Sequence, residues 1–466
     1  MKTSGFFKAY DMRGTFGEAF DLEAVRAIGR ALPRVVTEGR RQARWLVGRD
    51  CRVTSNDVVR ELSAGLSEAG ACVCDIGPCT TPMVYFFTAE DGYDASVMVT
   101  ASHNPPSDNG LKVSSAGARP VGYADGLDKV RGLVEGGACA NPEFSAASAQ
   151  DASGGVLERY AAYHRRATPD SELEGLRYAV DCSNGMSSLL VRELFPGAVT
   201  INDVPDGRFP AHSPNPLKAE SREQIAALVR ERGLDCGVIF DGDADRAMFV
   251  DERGEFVQPD HLIPVVYAAT ARLSGAAAKG GPVKAIHDVR TSRGSIEALR
   301  EMGAEPVMVP VGHVFAKRAL REIGALCGGE LAGHYYFSEF HGCDSGILAA
   351  RRILSEIARA KRAGKTFSEM MEPISGRYAN SGEVNFKVED KPAAIARVLA
   401  ACAAKLPREL SRSEMDGVRI EFTEGWVNIR QSNTEPYLRL VAECDTRERL
   451  AEWMDVLSGA IGAAGR

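Results

Sequence analysis

Short apolar runs with strand character alternate with helix-like stretches through most of this chain, and that alternation constrains the fold more than any other feature. In the first part, residues 44–48, 72–75 and 95–99 read as strands. Helical periodicity over 21–37 and a helix running from a Ser55 or Asn56 cap to about Gly70 lie between them. Asp108-Asn109-Gly110 reads as a turn leading into an extended Leu111-Lys112-Val113. A second set has strands at 177–181 and 236–240, a turn at Ser183-Asn184-Gly185 and a helix over 221–232. A third has strands at 283–287 and 306–309. Such repeated strand–helix units imply parallel sheets.

The last stretch departs from this pattern. Strands at 418–422, 426–430 and 438–442 follow one another across short loops, with one helix before them and one closing the chain. That order predicts an antiparallel sheet with helices on one side. At 466 residues the chain exceeds one ordinary core. The expected division is into α/β blocks at 1–150, 151–252 and 253–372 and an α+β block at 373–466. Residues 136–155, rich in Gly, Ala and Ser, read as a linker.

Composition narrows the class. A formal net charge of −7 argues against nucleic-acid binding by bulk charge. No apolar run of membrane-spanning length is present, and Met1-Lys2-Thr3-Ser4-Gly5 lacks the apolar stretch of a signal peptide. The 11 cysteines are scattered without a Cys-x-x-Cys pair. Cys72, Cys74 and Cys79 are the closest group, and no second cluster completes a zinc ligand set. Reduced cysteines in a cytoplasmic enzyme fit this usage.

Four polar stretches carry the chemistry, one per block. Thr100-Ala101-Ser102-His103-Asn104-Pro105 follows the strand at 95–99 and cannot continue it. Ser102 therefore sits on a tight loop at a strand's carboxyl end, where open α/β sheets place ligands, and its hydroxyl is a candidate nucleophile. A polar loop that merely contains Ser and His is the competing reading. Asp241-Gly242-Asp243-Ala244-Asp245-Arg246 brings alternate carboxylates together after a buried strand, as Mg²⁺ requires. An EF-hand loop needs glycine at its sixth position, where this stretch has Arg246. An ordinary acidic turn would leave three aspartates repelling one another.

The third stretch runs from Gly328-Gly329-Glu330 to Gly333-His334. Glu330 can accept hydrogen bonds from two neighbouring hydroxyls, which suits a sugar. Upstream, His313 and Lys317 stand one helical turn apart. A solvated loop and a charged helix face would also account for these residues. In the fourth stretch, Arg430, Ser432, Asn433, Thr434 and Arg439 flank a turn whose side chains and N–H groups suit a phosphate dianion, although a plain hairpin has the same outline. A serine, a divalent-cation site, a polyol loop and a phosphate clamp together point to phosphoryl transfer on a sugar phosphate.

Taken in order, these stretches resemble the signatures of the α-D-phosphohexomutases: Thr-Ala-Ser-His-Asn-Pro, Asp-Gly-Asp-Ala-Asp-Arg, Gly-Glu-x-x-Gly-His and Arg-x-Ser-Asn-Thr-Glu-Pro. Tyr10-Asp11-Met12-Arg13-Gly14, Asn109-Gly110-Leu111-Lys112 and Cys343-Asp344-Ser345-Gly346 are most similar to the bacterial phosphomannomutase/phosphoglucomutase branch. The resemblance implies four domains, three related α/β domains with mixed sheets and a carboxyl-terminal one like the TATA-box-binding-protein fold. It implies reversible conversion of hexose 1-phosphate (mannose or glucose) to hexose 6-phosphate through a phosphoserine enzyme, with hexose 1,6-bisphosphate as intermediate and activator.

By the same match, Ser102 carries the phosphoryl group and holds Mg²⁺ together with Asp241, Asp243 and Asp245. His103, Lys112 and Arg13 join Ser102 as catalytic residues, and a proton-transferring Lys112 requires a lowered pKa. Tyr10, Arg246, His313, Glu330, His334, Arg430, Ser432, Asn433, Thr434 and Arg439 bind substrate. A cytoplasmic monomer or weak homodimer acting on small sugar phosphates, with no nucleic-acid or membrane partner, is the implied setting. This chain has Ala332 where the family loop carries serine, which removes one sugar contact. Amino-sugar mutases, the main alternative, carry a Gln or similar residue where Leu331 stands. A phosphatase or a non-catalytic sensor on the same fold is the remaining alternative, against which an intact Ser102 and aspartate trio argue.

Overall fold

The computed structural model describes residues 2–3, 5–139, 141–275, 283–431 and 437–462. Four sheets succeed one another along the chain. The first has the order Met12–Thr15, Asp108–Ser115, Ala95–Val99, Arg44–Arg49, Cys72–Pro78, Gln150–Asp151. Its last four strands are parallel, and Asp108–Ser115 runs antiparallel to both its neighbours. The second, Phe256–Val257, Ala247–Val250, Cys236–Phe240, Tyr178–Asp181, Val199–Ile201, and the third, Ala304–Val309, Val283–Asp288, Cys327–Gly329, Tyr335–Phe337, Cys343–Asp344, are built the same way. In each of the three, parallel strands are followed by an antiparallel return.

That return explains why the polar stretches sit where they do. Residues 100–107 join Ala95–Val99 to Asp108–Ser115, residues 241–246 join Cys236–Phe240 to Ala247–Val250, and residues 330–334 join Cys327–Gly329 to Tyr335–Phe337. Each polar stretch is thus the hairpin between a parallel strand's carboxyl end and the antiparallel strand that follows it. The sheets are therefore mixed, and the wholly parallel reading holds only for the strands before each hairpin.

Three local expectations are corrected. Asp108-Asn109-Gly110 is not a turn: these residues pair with Thr15, Gly14 and Arg13. A Cβ on Gly110 would lie 2.4 Å from the Met12 carbonyl oxygen, so only glycine admits so close a strand. Residues 136–155 are not a free linker. The Glu143 and Phe144 N–H groups donate to the Glu68 carbonyl, and Gln150–Asp151 extends the first sheet. Ser55 does not cap the following helix but opens it, and its hydroxyl donates to Asp50 at 2.6 Å.

The fourth sheet is antiparallel throughout: Ala379–Asn380, Tyr437–Cys444, Gly425–Gln431, Val418–Phe422, Glu409–Ser413, with Val384–Lys387 also on Tyr437–Cys444. Strand parity divides its residues between two faces. Val427, Ile429, Leu438 and Leu440 pack under the helices Lys391–Lys405 and Arg447–Ile461. Arg430 and Arg439, cross-strand partners, project from the other face toward the third sheet. The fourth sheet keeps its own apolar core, whereas the first three share a continuous one. No helix among the described residues is long and apolar enough to cross a membrane.

Helices Leu22–Val36 and Ser55–Glu68 approach so closely that a Cβ on Gly65 would lie 2.2 Å from the Arg26 carbonyl oxygen. Gly65→Ala gains about 1 kcal/mol of helix propensity. It forces a backbone shift costing on the order of 1–3 kcal/mol, and since a rigid carbonyl is what must move, the upper end applies. A net loss of stability is expected in denaturant unfolding, and a midpoint equal to or above wild type contradicts the close approach.

Candidate active site

The Ser102 loop is held in a conformation its sequence alone would not choose. Ser102 has φ 52°, a left-handed backbone that costs an L-residue about 1–2 kcal/mol. Thr100 Oγ1 accepts the Ser102 N–H at 2.8 Å and donates to Asp50 Oδ2 at 2.7 Å. The buried Arg52 guanidinium donates to four backbone carbonyls of the loop: Ser102 at 2.9 Å, Asn104 at 2.7 Å, Pro105 at 2.6 Å and Asp108 at 2.9 Å. Asp50 and Arg52 were not among the residues expected at the site. No local signal in the sequence marks them: Arg49 pairs with Val99, and that register brings residues 50–52 out of the sheet beside residues 100–102.

Ser102 Oγ donates to Asp241 Oδ2 at 2.9 Å and lies 3.3 Å from His103 Nδ1. The two loops touch: a Cβ on Gly242 would lie 2.6 Å from the Ser102 carbonyl oxygen. Asp241, Asp243 and Asp245 are buried, with carboxylate oxygens within 4.8 Å of one another. Burial, then Asp245 and Asp243, push the Asp241 carboxyl well above the usual carboxylate range. Burial also raises Asp243 and Asp245, but the Lys112 ammonium, 2.7 Å and 2.6 Å from their Oδ2 atoms, together with Thr81 at Asp243 and neighbouring basic groups at Asp245, more than reverses this.

Lys112 owes its charge state to the same carboxylates that could hold a cation. Burial pulls its pKa down, and Asp243 and Asp245 outweigh burial and raise it above an ordinary lysine. His103 behaves oppositely. Burial, Arg246 and Arg13 keep its imidazole well below its usual range, hence neutral. Asp243 Oδ1 and Asp245 Oδ1 are buried with no hydrogen-bond partner among the described residues. Two orphaned carboxylate oxygens beside a third carboxyl that burial disfavours as an anion fit a hard divalent cation.

The third loop is stitched onto the second. Arg246 and His334 form an antiparallel bridge, and the Ala247 N–H donates to the Gly333 carbonyl at 3.3 Å. His334 Nδ1 is 2.9 Å from Asp344 Oδ2 and 3.8 Å from Asp245 Oδ1. Glu330 is buried and accepts the Gly312 N–H at 2.8 Å; burial raises its pKa. His313 opens the helix His313–Ile323, and burial with Lys317 keeps it neutral. Lys317 does stand one turn on, but it is sealed in an ion pair with Asp344 at 2.7 Å. The Tyr10 hydroxyl donates to the Val311 carbonyl at 3.0 Å, and Arg13 pairs with Asp11 while reaching Asn104 at 3.4 Å.

The fourth stretch meets the third through Arg290, another residue sequence reasoning missed. Asp288 accepts from the Leu331 N–H at 3.1 Å and pairs with Arg290. Arg290 reaches Glu383 at 3.1 Å, and Glu383 also binds Arg430 at 2.8 Å and Arg439 at 3.1 Å. Ser432, Asn433 and Thr434 lie outside the described residues.

Family models for phosphoglucomutase/phosphomannomutase match almost the whole chain: alpha/beta/alpha domain I over 5–136, domain II over 158–254, domain III over 258–378 and the C-terminal domain over 383–459. Phosphohexose mutases of Xanthomonas campestris pv. campestris (strain B100) are 36% identical over 442 residues, 94% of each chain. Phosphomannomutase of Methanocaldococcus jannaschii is 32% identical over 459 residues, 98% of this chain and 97% of that one. A crystal structure of a phosphoglucomutase/phosphomannomutase family protein from Burkholderia thailandensis superposes with a TM-score of 0.81 at 29% identity, covering 100% of this chain and 99% of that one. The three hairpins, the fourth antiparallel sheet and these matches define one class, and this chain belongs to the phosphoglucomutase/phosphomannomutase family.

Arg52→Lys keeps the charge but replaces a planar five-donor fork with a point donor. At least two of the four carbonyl bonds are lost, each contributing roughly 1.5–3 kcal/mol. Denaturant unfolding is expected to show a loss of at least ~3 kcal/mol; wild-type stability contradicts the anchoring role.

Proposed function

We propose that this protein interconverts hexose 1-phosphates and hexose 6-phosphates of mannose and glucose through a phosphoryl group carried on Ser102. The observation that carries this reading is a serine hydroxyl held 2.9 Å from the buried aspartate cluster on a conformationally fixed loop. Phospho-Ser102 passes its phosphoryl to the free hydroxyl of a bound hexose phosphate. The P–Oγ bond breaks, a P–O bond to the sugar forms, and the sugar hydroxyl's proton ends on Oγ. The bisphosphate turns over in the cleft, and its other phosphoryl returns to Ser102 by the reverse step. His103, 3.3 Å from Oγ, and Lys112, whose two carboxylates Mg²⁺ would share, are the groups placed to move the proton. Asp241, Asp243 and Asp245, with the phosphoryl on Ser102, would hold Mg²⁺, which neutralises charge on the moving phosphoryl.

Glu330 and His334 read the sugar, with His313 and Tyr10 beside them. Arg246 and Arg13 face the transferring group. Arg430 and Arg439, with Ser432, Asn433 and Thr434, grip whichever phosphate is not reacting. Hexose 1,6-bisphosphate restores the phosphoserine when it is lost. One chain supplies every element of this site, so a monomer or weak homodimer suffices. Eleven cysteines without a disulfide among them suit the cytoplasm.

Turnover of mannose, glucose and glucosamine 1-phosphates, measured side by side with a trace of bisphosphate, tests the assignment. Ser102→Ala is expected to abolish turnover of all three, because the relay loses its carrier. Full activity in that variant overturns the reading.

Glu330 offers two charge-assisted bonds to neighbouring hydroxyls, and a serine at position 332 would add one neutral bond. Glu330→Ala is expected to lower kcat/KM at least ~100-fold. Ala332→Ser should change it less than ~10-fold on either hexose. A much larger gain on one hexose alone would make position 332 the determinant of sugar choice.

A further inference from the structure

Glu383 lies between the short strands Ala379–Asn380 and Val384–Lys387, which share Tyr437–Cys444 as their partner. Its side chain is 17% exposed. Oε2 accepts from Arg430 Nη2 at 2.8 Å and from Arg290 Nη1 at 3.1 Å, and Oε1 accepts from Arg439 Nη1 at 3.1 Å. One carboxylate thus gathers three guanidiniums, from just past the carboxyl end of the third sheet's strand Val283–Asp288 and from two adjacent strands of the fourth. Carboxylate and phosphate present guanidinium N–H groups with the same acceptor geometry.

We propose that Glu383 is a resident counter-anion of the arginine cluster, competing with the substrate's phosphate for the same N–H donors and so setting how loosely that phosphate is held. The proposal rests on the reading of Arg430 as a phosphate clamp. Two features favour competition over simple support. Glu383 holds one Nη of each of the three guanidiniums, so a phosphate gripped by Arg430 and Arg439 must share those groups with it. An anion arriving beside a fixed carboxylate also meets like-charge repulsion. Burial pushes the Glu383 carboxyl up, but Arg290, Arg430 and Arg439 hold it down at about 2, so it is an anion at any neutral pH.

The consequence suits a mutase. Each turnover must exchange one phosphate for the other in the clamp, and grip that is equal in ground and transition states only slows release. A carboxylate that re-pairs with the arginines as the phosphate leaves lowers the cost of letting go.

Inorganic phosphate binding to the full-length chain, measured by titration calorimetry at low ionic strength, tests this with three variants. Glu383→Gln removes the competing charge at constant shape and should bind phosphate about tenfold tighter, or about 1.4 kcal/mol. Glu383→Asp keeps the charge but withdraws it from the guanidiniums, and should fall between wild type and the Gln variant. Arg430→Ala should bind at least about tenfold more weakly. With hexose 1-phosphate as substrate, Glu383→Gln should lower KM and kcat together, whereas a Glu383 that only positions the arginines would raise KM. Phosphate affinity in Glu383→Gln equal to or below wild type, with Arg430→Ala weakened, overturns the counter-anion role alone. Wild-type phosphate affinity in Arg430→Ala overturns the clamp reading and this proposal with it. If the Gln variant does not fold, the Asp variant decides: tighter binding supports the proposal, and unchanged or weaker binding overturns it.

Discussion

Three carboxylates buried within 4.8 Å of one another cannot all be anions unless cations lie among them. Much of the site follows from that demand. Lys112, from a strand of the first sheet, pairs with Asp243 and Asp245. Arg246, from the hairpin that carries the aspartates, lies 3.7 Å from Asp241. Even so, Asp241 is pushed toward its neutral form and two carboxylate oxygens have no hydrogen-bond partner among the described residues. The remaining deficit of positive charge sits beside the Ser102 hydroxyl, where a divalent cation and a phosphoryl group would be placed together.

The architecture meets the demand by repetition. In each of the first three sheets a parallel strand ends in a hairpin, and the three hairpins meet. Contact is made by backbone as well as charge: Gly242 lies against the Ser102 carbonyl, and Arg246 bridges His334. The fourth sheet joins differently. Its apolar face is closed off by its own helices, and its polar face reaches the third sheet through arginines and carboxylates. A junction of this polar kind separates more readily than a shared apolar core, which suits a domain that must admit and release a substrate.

Ser102 and the aspartate trio were legible in the sequence because each follows a short apolar strand with residues that cannot extend it. Arg430 was legible because it flanks a turn whose side chains and N–H groups suit a phosphate dianion. Arg52 was not, since it acts on backbone carbonyls and its place beside the loop depends on strand order. Glu383 was not, because it stands 47 residues before Arg430 and nothing local marks it. Asp108-Asn109-Gly110 has the composition of a turn, yet pairing with Met12–Thr15 overrides that local preference. The small residues of 136–155 suggest freedom, while Phe144, packed against Gly70, and Gln150–Asp151, paired with Cys72–Pro78, use them as a strap across the first sheet.

The proposed reaction turns on Ser102 giving its phosphoryl to a sugar and taking one back. The direct measurement is a single turnover of enzyme carrying a radiolabelled phosphoryl group, mixed with an excess of unlabelled hexose 6-phosphate. The label should leave the protein and appear in hexose 1,6-bisphosphate and then in hexose phosphate, with the protein still phosphorylated on Ser102 at the end. Label that stays on the protein while product forms, or that leaves only as inorganic phosphate, would contradict it.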